Sequence, residues 1–178
     1  MKGRRAVFLD RDGTLVRDVH FCRSVEDLQL LPGAPLAIRI LNDVGFKVVV
    51  ITNQSGVGRG YLTVETLADI HKKLREELGR GGAALDAIYY CPHTPGEGCK
   101  CRKPRPGMFV AAIRDLGLDP AASYAVGDRE RDLDPGRALG VKTVLVSSGP
   151  AEKDPAADFT AQSLLEAVLW ITGDSRFP

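Results

Sequence analysis

FLDRDGTLV, residues 8–16, places two aspartates one residue apart and then breaks into Gly13-Thr14. Ala6 to Leu9 read as a short, wholly apolar strand of the kind buried on both faces of a parallel sheet. Asp10 then falls at the carboxyl end of that strand, where open α/β sheets gather their ligands. Two close carboxylates resist desolvation unless a metal ion or a cationic group joins them. The alternative is a solvated turn, in which Asp12 and Gly13 only reverse the chain. The rest of the chain decides between the two.

With 178 residues, 44% hydrophobic and 26% charged, the chain is expected to form one domain spanning residues 1–178. A net charge of +1 gives no field suited to nucleic acid or to a membrane surface, so neither partner is expected. No apolar run has the length of a membrane span, and MKGRRAVFLD lacks the apolar core and cleavage site of a signal peptide. A cytoplasmic monomer is the expectation. Of the four cysteines, Cys22 stands alone, whereas Cys91, Cys99 and Cys101 cluster. In a reducing compartment that clustering points to metal or chemistry rather than disulfides.

Outward from the opening strand, short apolar strands alternate with amphipathic helices. Helices are expected at 35–44, from Thr63 to 78, at 108–116, 133–139 and 163–171, with strands at 46–51, 87–90, 124–126 and 143–146. His71 falls among the charges of the second helix and reads with its solvated face. Residues 149–155 read as a surface loop, and 173–178 as a frayed end. Such alternation specifies an α/β fold, a doubly wound parallel sheet with helices on both faces and right-handed crossovers. Asp10, Thr52, Lys103 and Asp128 all follow strand ends, which lie along one edge of such a sheet.

A carboxylate nucleophile, a second carboxylic acid, a hydroxyl, a lysine and a distal aspartate together suit phosphoryl transfer through an aspartyl-phosphate. Asp10 is the candidate nucleophile, and Asp12 the acid that protonates the leaving alkoxide and then takes a proton from water. Thr52 and the amide of Asn53 would hold phosphoryl oxygens, and Lys103 would stabilise their charge. A catalytic Mg²⁺ would sit on Asp10, the Asp12 carbonyl and Asp128. The motifs FLDRDGT, ITNQSG, CRKPRPGM and VGDRERD resemble, in order, the four motifs of the haloacid dehalogenase superfamily of phosphatases. The resemblance runs from about Ala6 to Val146 and implies the same roles, with Asp132 behind the metal site or simply at a solvated helix start.

CPHTPGEGCKC supplies Cys91, His93, Cys99 and Cys101, a Cys₃His set suited to a closed, structural Zn²⁺ site. A reduced, metal-free loop is the alternative. The zinc reading makes the loop a clamp that presents Arg102 and Lys103. With that loop, the motifs resemble the phosphatases of D-glycero-D-manno-heptose 1,7-bisphosphate and, close to them, those of histidinol phosphate. Both act on a small phosphorylated metabolite. Arg102 and Arg59 are candidates for a second phosphate, and Asp18 or Glu97 for an ammonium group, so the residues leave the substrate open, with the heptose reading ahead. Asp18, His20, Gln54 and Arg59 belong to loops that would set specificity, because the motif spacing leaves no room for a large cap domain. A phosphoaspartate signalling module is the reading from another class. Asp12 argues against it, since a slow switch need not protonate a leaving group.

Overall fold

Along β1 (Ala6–Leu9) every side chain is buried, with alternate residues facing opposite layers. Val7 and Leu9 join one hydrophobic cluster, whereas Ala6 and Phe8 join another, as the two-residue period of a strand requires. The computed structural model describes residues 3–147, 149 and 156–173. The loop expected at 149–155 lies, but for Gly149, outside the described residues, and so do residues 174–178 of the expected frayed end.

The elements follow in the order β1, α1 (Ala34–Asp43), β2 (Lys47–Asn53), α2 (Val64–Arg80), β3 (Ala87–Cys91), α3 (Gly107–Leu116), β4 (Tyr124–Gly127), α4 (Glu130–Ala138), β5 (Lys142–Val146), β6 (Phe159–Ala161) and α5 (Leu164–Thr172). The six strands form one sheet in the order β3-β2-β1-β4-β5-β6, and every pairing is parallel. The strand order reverses between β1 and β4, which leaves a crevice beyond their carboxyl ends. Asp10 and Asp128 follow these two strands, and the Asp10 amide donates to the Val126 carbonyl at 3.0 Å.

Apolar residues of α1, α2 and α5, among them Ile38, Leu67, Ile70, Leu74 and Val168, cover one face of the sheet. Met108 and Phe109 of α3 and Leu133 of α4 cover the other, with the Phe8 and Phe109 rings 4.9 Å apart. Thr63 caps α2 as its sequence suggests, its side chain accepting from the Thr66 amide at 3.1 Å. Between β1 and β2 the described chain holds one short 3-10 turn and α1, with no cap domain over the strand ends.

Three departures from the sequence reading have physical causes. α4 begins at Glu130 rather than at residue 133, because Glu130 and Asp132 suit the positive end of a helix and Pro135 is tolerated within it. β6 has only three residues and completes an edge, too short for its alternation to register. His71, assigned from its charged neighbours to the solvated face of α2, is buried at 9% exposure. It lies four residues after Leu67 and three before Leu74, so helical geometry puts it on their face.

Candidate active site and metal centres

β1 ends in a turn that aims two carboxylates in different directions. The amides of Leu15 and Val16 both donate to the Arg11 carbonyl, at 2.9 and 3.0 Å, and close a tight loop over Asp12 and Gly13. Gly13 adopts φ +88°, and a Cβ there would stand 2.4 Å from Asp128 Oδ2. Only glycine lets the β1 turn approach the β4 carboxylate so closely.

Lys103 lies at the centre of the site, 3% exposed. Its Nζ donates to Asp10 Oδ1 at 2.8 Å, to the Ile51 carbonyl at 2.7 Å, and pairs with Asp132 Oδ1 at 2.7 Å. The Asn53 side chain holds its backbone from both sides. Its Nδ2 donates to the Lys103 carbonyl at 3.1 Å, and its Oδ1 accepts from the Lys103 amide at 3.0 Å. The end of β2 thereby fixes a lysine that arrives fifty positions later. Gln54 reaches back from the same segment, its Nε2 donating to Asp12 Oδ2 and to Thr52 Oγ1, both at 2.8 Å.

The electrostatics are unbalanced toward negative charge. Burial pushes the Asp10 carboxyl up to about 7 against the pull of the Lys103 ammonium, and Asp132 and Asp12 add to the rise. Burial, then the charge of Asp132, pushes Asp128 up to about 6. Burial works against the Lys103 charge, yet Asp10 and Asp132 hold the ammonium above the ordinary lysine range. Asp10, Asp128 and Asp132 bring one oxygen each within 4.8 Å of the others, and buried Asp132 Oδ2 has no hydrogen-bond partner. Three carboxylates around one ammonium, with an orphaned oxygen among them, fit a hard divalent cation such as Mg²⁺.

A second donor set lies just beyond β3. Cys91 Sγ is 3.5 Å from His93 Nδ1, 3.5 Å from Cys99 Sγ and 3.1 Å from Cys101 Sγ, and His93 Nδ1 is 3.3 Å from Cys101 Sγ. Tetrahedral Zn²⁺ with bonds of about 2.0–2.3 Å separates its ligand atoms by about 3.5 Å, so the loop is already shaped for zinc. Four protein donors leave no open position, as in a structural site. Arg102 follows directly, and its guanidinium donates to the His93 carbonyl at 3.1 Å.

Asp10, Asp12, Asp18, His20, Thr52, Asn53, Gln54, Arg102, Lys103, Asp128 and Asp132 line one cleft of about 230 Å³. Arg59 stands outside that wall, exposed, with its guanidinium 6.0 Å from the ring of Phe21, which does line the cleft. Asp18 is paired with Arg129 at 3.0 Å across the mouth. Glu97 is occupied elsewhere, accepting from the Thr94 amide at 2.7 Å and absent from the cleft wall. Sequence reasoning passed over Arg11, whose side chain is fully buried. A cation two residues beyond a buried strand is a signal that it needs a partner inside the fold.

Comparison with known proteins agrees with this architecture. The haloacid dehalogenase hydrolase-like family profile matches residues 100–167. A D-glycero-beta-D-manno-heptose-1,7-bisphosphate 7-phosphatase of Haemophilus ducreyi is 43% identical over 180 residues, covering 95% of this chain and 99% of the relative. The protein of that name from Yersinia pestis is 40% identical over 172 residues, covering 90% and 92%. Among solved structures, the D,D-heptose 1,7-bisphosphate phosphatase of B. bronchiseptica, complexed with magnesium and phosphate, superposes with a TM-score of 0.88. It is 35% identical and covers 94% of this chain and 98% of its own. No helix among the described residues is long and apolar enough to cross a membrane. With four motifs converging on one cleft and relatives matched over nearly their whole length, the chain belongs to the heptose-1,7-bisphosphate 7-phosphatase family of haloacid dehalogenase-like phosphoric monoester hydrolases.

Proposed function

We propose that the chain hydrolyses the 7-phosphate of D-glycero-D-manno-heptose 1,7-bisphosphate through a phosphorylated Asp10. The observation that carries this reading is the Lys103 ammonium bridging Asp10 and Asp132 beside Asp128, in a cleft that Arg102 also lines. Asp10, Asp128, Asp132 and the Asp12 carbonyl would hold Mg²⁺, which supplies the positive charge that lets a carboxylate and a phosphate meet.

In the first half-reaction an Asp10 oxygen forms its bond to phosphorus as the bond from phosphorus to the ester oxygen breaks. Asp12 gives its proton to that leaving oxygen. In the second, a water oxygen bonds to phosphorus, the bond to Asp10 breaks, and the water proton goes to Asp12. Thr52 and the Asn53 amide hold the phosphoryl oxygens, and Lys103 offsets the charge that spreads over them. Arg102, which lines the cleft, would offer a cation to a second phosphate beyond the reacting one. Histidinol phosphate would need a carboxylate for its ammonium; Glu97 is engaged within its own loop, and Asp18, which does line the cleft, is paired with Arg129.

The reading is tested by kcat/KM with Mg²⁺ on both anomers of the heptose bisphosphate and on histidinol phosphate, with Asp10→Asn as the blank. The expected outcome is a preference of at least tenfold for a heptose anomer and no turnover by Asp10→Asn. Turnover that survives Asp10→Asn overturns the mechanism, and preference for histidinol phosphate overturns the substrate.

A further inference from the structure

We infer that Arg11, locked in place by His71, is the positioning residue that aims the Asp12 carboxyl at the leaving oxygen; this rests on Asp12 being the acid of the proposed reaction. Arg11 is fully buried although it directly follows Asp10. Its Nε donates to Asp12 Oδ2 and an Nη to Asp12 Oδ1, both at 3.0 Å, so the fork grips both oxygens of the next residue. The other Nη lies 3.4 Å from Nε2 of His71 on α2. Adjacent residues rarely pair in this way. Here the β1 turn folds Asp12 back over the Arg11 side chain, and the Arg11 carbonyl anchors that turn through Leu15 and Val16.

The identity of the third partner follows from charge. A buried guanidinium with five N–H groups needs acceptors, and a carboxylate opposite its last arm would compete with Asp12 for it. A neutral imidazole accepts without adding an anion. His71 is held neutral by burial, with Arg11 and Arg75 also opposing its protonation, so Nε2 offers a lone pair to Arg11. Its ring also lies 5.7 Å from the Tyr90 ring of β3, which leaves it little freedom to turn away. The linkage therefore runs from α2 through His71 and Arg11 to Asp12, and Gln54, just beyond β2, completes it.

A proton donor must stand within about 2.6–3.2 Å of the atom it protonates, and such transfer contributes about 10²–10⁴-fold. The Asp12 side chain is 23% exposed, so it would sample other rotamers without the fork. The requirement for a proton depends on the leaving group. A sugar alkoxide is a poor leaving group and needs the donor, whereas 4-nitrophenolate leaves without one. Loss of aim at Asp12 therefore lowers kcat/KM for the sugar phosphate and spares the nitrophenyl ester. A general loosening of the fold lowers both.

The experiment measures kcat/KM on the heptose bisphosphate and on 4-nitrophenyl phosphate for the wild type, Arg11→Lys, His71→Leu, His71→Gln and Asp12→Asn, with folding followed by thermal melts. Lysine keeps the charge but cannot fork onto both oxygens, so Arg11→Lys should lose about 100-fold on the sugar phosphate and less than about threefold on the nitrophenyl ester. His71→Leu should lose about tenfold on the sugar phosphate alone, and His71→Gln, which keeps an acceptor, should recover most of that. The histidine variants keep the inference falsifiable if Arg11→Lys does not fold. Equal losses on both substrates, or no loss, overturn it. Asp12→Asn separates the two levels. If that variant shows no dependence on the leaving group, the reading of Asp12 as the acid falls, and the inference with it. If Asp12→Asn shows the dependence but the Arg11 and His71 variants do not, the inference alone falls.

Discussion

His71→Gln should flatten the acid limb of the stability curve. The imidazole is buried on α2, and its pKa is pushed down to about 3, by burial first and then by the charges of Arg11 and Arg75. Tyr90 faces it from β3, and Lys72 shares the shallow cavity beside it. In the unfolded chain the same group titrates at about 6.5. Below that pH the unfolded state binds a proton that the folded state refuses, so stability is complete above about 6.5 and falls as pH drops toward 3. At pH 5 the gap covers about 1.5 pH units, which at about 1.4 kcal/mol per unit costs the wild type about 2 kcal/mol. For a chain of this size that corresponds to about 4–8 °C in Tm. Glutamine keeps an acceptor for Arg11 but does not titrate. Asp10 and Asp128 titrate in both proteins and cancel in the comparison. Urea or thermal unfolding at pH 7.5 and pH 5.0 gives the measurement: the wild type should lose about 2 kcal/mol more than His71→Gln between the two. Losses that agree within about 0.5 kcal/mol would mean that His71 takes a proton readily in the fold, and the argument for a forced neutral acceptor would fail.

Further expectations follow from the other contacts. Gly13→Ala adds a Cβ 2.4 Å from Asp128 Oδ2 at a φ of +88°, so turnover should drop more than about 100-fold and stability by about 1–3 kcal/mol, read from kcat and urea melts. Lys103→Met leaves Asp10 and Asp132 buried without their shared cation; kcat should fall about 10²–10³-fold, and phosphate-release assays check it. Cys101→Ser removes one of four converging donors, so bound zinc by elemental analysis should fall well below one per chain and Tm should drop, with full zinc retention as the contrary result. Asn53→Ala removes both hydrogen bonds to the Lys103 backbone and should cost about tenfold in kcat without unfolding the chain, as melts and turnover together would reveal.

Much of this protein is legible in its sequence because the physics is local. The apolar run before Asp10, the alternation of strand and helix, Thr63 before α2 and the four motifs each depend on neighbours a few residues away. Periods of two and of 3.6 residues, caps and metal-ligand spacing carry that information in one dimension. Parallel strands bring Asp10, Thr52 and Asp128 to one edge whatever the intervening sequence, whereas Lys103, twelve residues beyond β3, reaches the same cleft on a loop whose backbone Asn53 holds.

What only the tertiary structure decided is the set of partners those residues take. Asn53 holds the Lys103 backbone, Gln54 ties Asp12 to Thr52, and Glu97 closes on its own loop rather than on the cleft, each a matter of side-chain direction that no spacing encodes. His71 and Arg11 are the clearest case. The sequence reads His71 with the charged, solvated face of its helix and gives Arg11 no role. Burial turns them into a pair, because a guanidinium brought inside with β1 needs an acceptor without charge, and sixty positions later α2 presents one at the right depth.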